Sequence, residues 1–146
     1  MTVSLAEQIM LDTSVVLHLV RHSELGKKIV NDLTLGARPL TPLISVVSVG
    51  EIFVFARRRR WEKAKLDRME DLLRNLVWVD INSSDVLDRY ADIIASVEKG
   101  GAKIGQNDAW IAACASVSGA VLVTTDGDFD RLDPQFLRRV LFAAST

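Results

Sequence analysis

Asp12, Glu51, Asp108, Asp126 and Asp128 are the side chains whose surroundings suggest chemistry. Asp12 ends the apolar run Ile9-Met10-Leu11 and is followed by Thr13 and Ser14. Glu51 closes Ser48-Val49-Gly50-Glu51 just beyond the apolar segment 43–47. Asp108 sits in Gly105-Gln106-Asn107-Asp108, ahead of Ala109-Trp110-Ile111-Ala112-Ala113. Asp126 and Asp128 flank Gly127 immediately after Val121-Leu122-Val123-Thr124-Thr125.

Each acid has an ordinary explanation. Asp, Thr and Ser cap helices. Ser48 and Glu51 have the spacing of a capping box, which would put Glu51 in the first turn of a helix. Asp108 suits the positive end of a helix dipole, and Asp-Gly-Asp is common turn chemistry. Together they share a further property: Asp12 and Asp126 end apolar strands, while Glu51 and Asp108 open helices. In a parallel sheet, the carboxyl ends of strands and the starts of the helices that follow lie on one side, where sites form. Asp108 meets this condition only if its helix leads back into the strand at Val121.

Carboxylates gathered in one pocket repel and raise one another's pKa unless a cation compensates. Hard divalent cations take oxygen ligands, and Mg²⁺ combines a few carboxylates with water and substrate phosphate. Such a centre activates water and stabilises charge on a phosphodiester. Competing chemistries find less support. There is no Cys/His cluster for zinc, no glycine-rich nucleotide loop, and no base placed for a nucleophilic serine. An aspartyl nucleophile at Asp12 lacks a second Asp two residues on, where Ser14 stands. His18 and His22 have a metal-compatible spacing, but no Glu follows His18.

The elements that would position these acids alternate along the chain. Apolar strands are expected at residues 9–11, 43–47, 77–81 and 121–125, with an edge strand at 140–142. Helical spacing is expected over residues 15–20, 24–35 and 61–75, and on Val86, Tyr90, Ile93, Ile94 and Val97. The helix opened by Asp108 is apolar nearly all round and is expected to be buried, with Gly119 at its end. This alternation implies an α/β fold, a mostly parallel sheet with helices on both faces.

The chain's 146 residues suit one domain, taken as residues 1–146. Hydrophobic residues make up 49% and charged residues 25%, with a net charge of -1. Bulk charge therefore announces no nucleic-acid partner, and any basic surface must be local. One concentration exists: Arg57, Arg58, Arg59 and Arg60. They suit a helix C-terminus. They also begin about 9 Å along the helix axis from Glu51, near enough to hold a polyanion whose reactive bond lies there. No apolar run is long enough to span a membrane. The lone Cys114 fits a reducing compartment, so a cytoplasmic protein is expected.

At these residues the chain resembles the PIN-domain nucleases of the VapC toxin type. The matching segments, in order, are Met10-Leu11-Asp12-Thr13-Ser14, residues 45–52 with Glu51, Asn107-Asp108-Ala109-Trp110-Ile111-Ala112-Ala113, and residues 122–129. Any one segment is weak; the ordered set, spanning most of the chain, is strong. The resemblance implies a sheet of about five strands and Mg²⁺- or Mn²⁺-dependent cleavage of single-stranded or loop RNA. Asp12, Glu51, Asp108 and Asp126 take the positions of the family's acidic metal site, and are expected as its metal ligands. Thr124 takes that of the accompanying hydroxyl, expected with Ser14 to hydrogen-bond water or phosphate. Asp128 falls at a variable position and is the weaker member. Family members pair with a small VapB-type antitoxin and often form homodimers. The arginine run and the longer lead-in before Asp12 depart from the family's general pattern. On the residues alone, a nuclease acting on DNA or structured RNA, and a non-catalytic binding module, remain alternatives.

Overall fold

A computed structural model describes residues 3–143; residues 1, 2 and 144–146 lie outside it. The sheet is built from β1 (Ile9–Leu11), β2 (Leu43–Ser45), β3 (Val77–Val79), β4 (Val121–Thr124) and β5 (Arg139–Leu141). All neighbouring strands are parallel, in the order β3-β2-β1-β4-β5. Chain direction across the sheet reverses between β1 and β4, which makes their carboxyl ends the topological switch point where α/β proteins place ligands. Asp12 and Asp126 follow those two strands.

The helices are α1 (Thr13–Arg21), α2 (Glu24–Leu33), α3 (Val46–Arg58), α4 (Lys63–Arg74), α5 (Ser84–Lys99) and α6 (Gln106–Ser118). A 3₁₀ turn covers Gly127–Leu132. Alternation along the strands divides the core. Ile9 and Leu11 of β1, with Val121 and Val123 of β4, pack with α1 to α4. Met10 and Leu122 face the other way, onto α5, α6 and the 3₁₀ turn. Ile9, Met10 and Leu122 are 0% exposed. Burial of each such side chain is worth roughly 1.5–3 kcal/mol, which fixes the strand ends that carry the acids.

Two segments depart from the sequence-based expectation in ways that matter for the site. The second strand stops at Ser45 rather than running to residue 47. Ser45, not Ser48, caps the following helix: its backbone is extended and its Oγ accepts from Val47 N at 3.1 Å. Ser48 is instead buried inside α3, and Glu51 stands in the second turn rather than the first. Val46, Val47 and Val49 have strand-like side chains, but packing on both sheet faces overrides that propensity. Elsewhere the bounds shift by a residue or two. Thr34, in the left-handed region with φ 54°, ends α2 ahead of Gly36.

The helix of Asp108 meets its condition. α6 ends at Gly119, whose left-handed φ of 64° turns the chain directly into Ala120 and β4. Helix and strand are therefore antiparallel, and α6 begins over the carboxyl end of the sheet.

Candidate active site

Asp12 is held at the floor of the switch point. Its backbone N–H continues the sheet by donating to Val123 O at 2.9 Å. Its Oδ1 caps α1 by accepting from Thr13 N at 2.8 Å, and its Oδ2 accepts from Thr124 Oγ1 at 2.7 Å. Ser14 Oγ lies 3.4 Å from the same Oδ2. Only 4% of Asp12 is exposed. Burial pushes its carboxyl pKa up; hydrogen bonds from Thr124 and Thr13 oppose the shift, and Glu51 and Asp126 add to it.

Thr124 links the two strand ends that carry Asp12 and Asp126. It is 0% exposed. Its hydroxyl donates to Asp12 and accepts from Asp126 N at 3.0 Å. It ties the end of β1 to the end of β4. Beyond it, Asp126 Oδ1 accepts from Asp128 N at 2.9 Å, the bond that starts the 3₁₀ turn. Phe129 and Leu132 anchor that turn, at 0% and 1% exposure.

Glu51 reaches the same centre from α3. Thr13 Oγ1 donates to its Oε1 at 2.7 Å, and Asn107 Nδ2 donates to its Oε2 at 3.2 Å. Sequence reasoning assigned Thr13 only to capping and gave Asn107 no role of its own. Their common signal was a hydrogen-bonding side chain beside each acid, Thr13 after Asp12 and Asn107 before Asp108.

Asp108, Asp126 and Asp128 each offer a carboxylate oxygen, and these atoms all lie within 4.8 Å of one another. Asp128, the weakest member on sequence, thus stands in the tightest group, to which Asp12 and Glu51 do not belong. Burial pushes the Asp108 pKa up to about 7, and the charges of Asp12, Asp126, Asp128 and Glu51 push in the same direction. The start of α6 favours an anion, but by no more than about 2 kcal/mol at a partly buried site. Desolvation and like charge outweigh it. Crowded hard oxygen donors lacking a compensating cation fit a divalent ion such as Mg²⁺.

His18 and His22 lie elsewhere, at the turn between α1 and α2. His18 Nδ1 is 2.7 Å from Ser23 Oγ, and His22 ends α1 in the left-handed region. The arginine run is divided by the helix. Arg58 lines a groove of about 610 Å³ that also takes in Thr13, Glu51 and Asn107. Arg57 and Arg60 line a separate cavity between α3 and α4, and Arg57 Nη1 donates to Phe53 O at 3.1 Å. The Arg59 guanidinium lies 5.1 Å from the Phe55 ring centroid.

The chain is similar in sequence or fold to several known proteins. Ribonuclease VapC2 of Haemophilus influenzae is 27% identical over 124 residues, covering 84% of this chain and 90% of that protein. Among solved structures, VapBC2 of Rickettsia felis, bound to a promoter DNA fragment, matches with a TM-score of 0.79 at 24% identity, covering 92% of this chain and 98% of that one. VapC20 of Mycobacterium tuberculosis, a toxin that cleaves the sarcin-ricin loop, matches with a TM-score of 0.64 at 17% identity, covering 86% and 95%. These structural likenesses concern the fold. The PIN-domain family model matches residues 9–134, the span from the first strand past the last acid, and the chain belongs to the PIN-domain family.

Proposed function

We propose that this protein is a divalent-metal-dependent endoribonuclease, the toxin of a toxin–antitoxin pair. The observation that carries the reading is the convergence of Asp108, Asp126 and Asp128 within 4.8 Å at the switch point, beside a buried Asp12 and a Glu51 fixed by hydrogen bonds. The relative named as a ribonuclease supports RNA as the substrate. Neighbours solved as toxin–antitoxin complexes support a VapB-type antitoxin as the partner, and family resemblance supports a homodimer.

Asp108, Asp126 and Asp128 would hold Mg²⁺ or Mn²⁺, with Asp12 and Glu51 adding negative charge from the sheet and from α3. Such an ion neutralises a phosphodiester and acidifies water. The chain's own contribution is to keep the acids in place. Thr124 fixes Asp12 against β4, Thr13 links Asp12 to Glu51, and Asn107 links Glu51 to the helix that carries Asp108. Hydrolysis adds water across the P–O3′ bond and leaves a 5′-phosphate and a 3′-hydroxyl.

Purified, partner-free protein is incubated with a mixed RNA pool and with single-stranded DNA, with Mg²⁺, Mn²⁺ or chelator. Cutting confined to RNA, dependent on the ion and lost in Asp12→Asn, is the expected result. Metal-independent cutting, or full activity in Asp12→Asn, would sink the proposal. No cutting, with no rise in Tm on adding the ion, would point to the non-catalytic binding module.

A further inference from the structure

The groove beside the acids has an unequal distribution of charge. Val47, Glu51, Val54 and Arg58 follow one another along one side of α3 and all line it. The carboxylate end, at Glu51, also takes in Thr13 and Asn107, the chain neighbours of Asp12 and Asp108. The other end, about 10 Å farther along the helix axis, carries Arg58 and Phe55. Phe55 has two guanidiniums over its ring, Arg21 at 4.9 Å and Arg59 at 5.1 Å. Among the described residues, Arg58 makes no hydrogen bond or ion pair. A free guanidinium at the end of a groove that starts at a phosphodiester-cutting centre has the chemistry to receive a phosphate.

We propose that Arg58 holds a backbone phosphate of the RNA strand, on the order of two or three phosphates from the scissile bond, so that the strand lies along α3 and ends at the Phe55 cluster. The proposal rests on the ribonuclease reading for its substrate and assigns Arg58 alone to that strand. Arg57 and Arg60 face the cavity between α3 and α4 and take no part in it. The groove walls formed by Val47 and Val54 read no base edges, so the contact secures the backbone and leaves sequence choice to other residues.

Two readouts separate this proposal from the nuclease reading. The first is binding of a fluorescent oligouridylate to Asp126→Asn protein with Mg²⁺ present, so that no cutting intervenes. Arg58→Gln is expected to weaken binding about fivefold and to reduce the slope of log affinity against log salt by about one. Arg58→Lys should restore most of the loss, and Arg57→Gln and Arg60→Gln should bind as the parent does. The second readout is cleavage: in otherwise native protein, Arg58→Gln should raise KM on long RNA with kcat unchanged, and leave a dinucleotide substrate unaffected. Equal losses for all the arginines, or none for Arg58, would overturn the assignment. So would oligoglutamate binding that depends on Arg58 while oligouridylate does not bind, which would give the groove to an acidic protein segment. If native protein cuts no RNA while the Arg58 binding signature holds, the nuclease reading falls and the RNA groove stands.

Discussion

The acids at the centre fall into two unlike groups. Asp12 and Glu51 have both carboxylate oxygens engaged by uncharged donors, namely Thr13 and Thr124 for Asp12, and Thr13 and Asn107 for Glu51. Asp108, Asp126 and Asp128 crowd together, and among the described residues the one hydrogen bond to a carboxylate there is from Asp128 N to Asp126. The first group is anchored by the fold itself. The second is placed by the fold, and burial together with neighbouring charges pushes the Asp108 pKa up to about 7, a shift that a bound cation would oppose. The pair is thus fixed by hydrogen bonds of the fold, while the trio brings three carboxylate oxygens close together.

Changes in the trio should be the most costly for activity and harmless for folding. Asp126→Asn is expected to lower cleavage at least about a hundredfold, since it removes a charge from the proposed ion site. Tm of the metal-free variant should equal or exceed that of the parent. Activity assays and melts made on the same preparation would break the comparison if stability fell with activity.

The frame should behave in the opposite way. Thr124→Val keeps the shape of a fully buried side chain but strips a hydrogen bond from Asp12 and from the Asp126 N–H. Leaving buried polar groups unpaired costs about 1–3 kcal/mol each, so denaturant unfolding should show a loss of about 2 kcal/mol or more. Thr124→Ser should recover much of it. A Thr124→Val protein of native stability would remove Thr124 from the frame.

What could be read in the sequence tracks what local residues decide. Strand ends at Asp12 and Asp126 were legible because an apolar run stopping at a charge marks the rim of a sheet. The parallel order followed from alternation of elements, and β5 was found as an edge strand. The start of α3 was misplaced because a Ser-x-x-Glu pattern sat inside a helix whose cap, Ser45, lay in the preceding strand. The valines around it gave no warning, since packing on both faces of the sheet outweighed their β-preference. Thr124 pointed to the right place, but its bond to Asp12 was not legible: only the register of β1 beside β4, which pairs Leu11 with Val123, sets its hydroxyl against Asp12. Asp128 was hard to place for the same reason. Its approach to Asp108 depends on the docking of α6 and the 3₁₀ turn, and no local spacing encodes it.

The electrostatic half of the comparison has its own test. In the metal-free protein the Asp108 pKa stands at about 7, above the ordinary aspartate value of 3.8. The folded state therefore binds this proton more tightly than the unfolded chain does. Its stabilising contribution is full below about pH 4 and is lost as pH rises through about 7. Burial raises the Asp12 pKa too and acts in the same direction. With chelator present, Tm should fall by several degrees between pH 5 and pH 8. Asp108→Asn should flatten much of that slope, and Mg²⁺ should restore Tm at pH 8. A metal-free Tm that holds level across this range would mean that the crowding is relieved by something other than a cation.

The smallest expected effect sharpens the line between the two groups. Asn107 donates to Glu51 Oε2 at 3.2 Å from an exposed position, and Thr13 keeps the other oxygen at 2.7 Å. Asn107→Ala removes one exposed hydrogen bond, worth about 0.5–1.5 kcal/mol at most, and water takes its place. Glu51 then keeps its charge and its stronger tether. Cleavage should fall only a few-fold, with Mg²⁺ dependence and Tm close to those of the parent. If Asn107→Ala instead abolished activity as Asp126→Asn does, Asn107 would be touching substrate directly. Glu51 would then belong with the trio, because a carboxylate whose neighbour acts on the reacting strand is no longer only part of the frame.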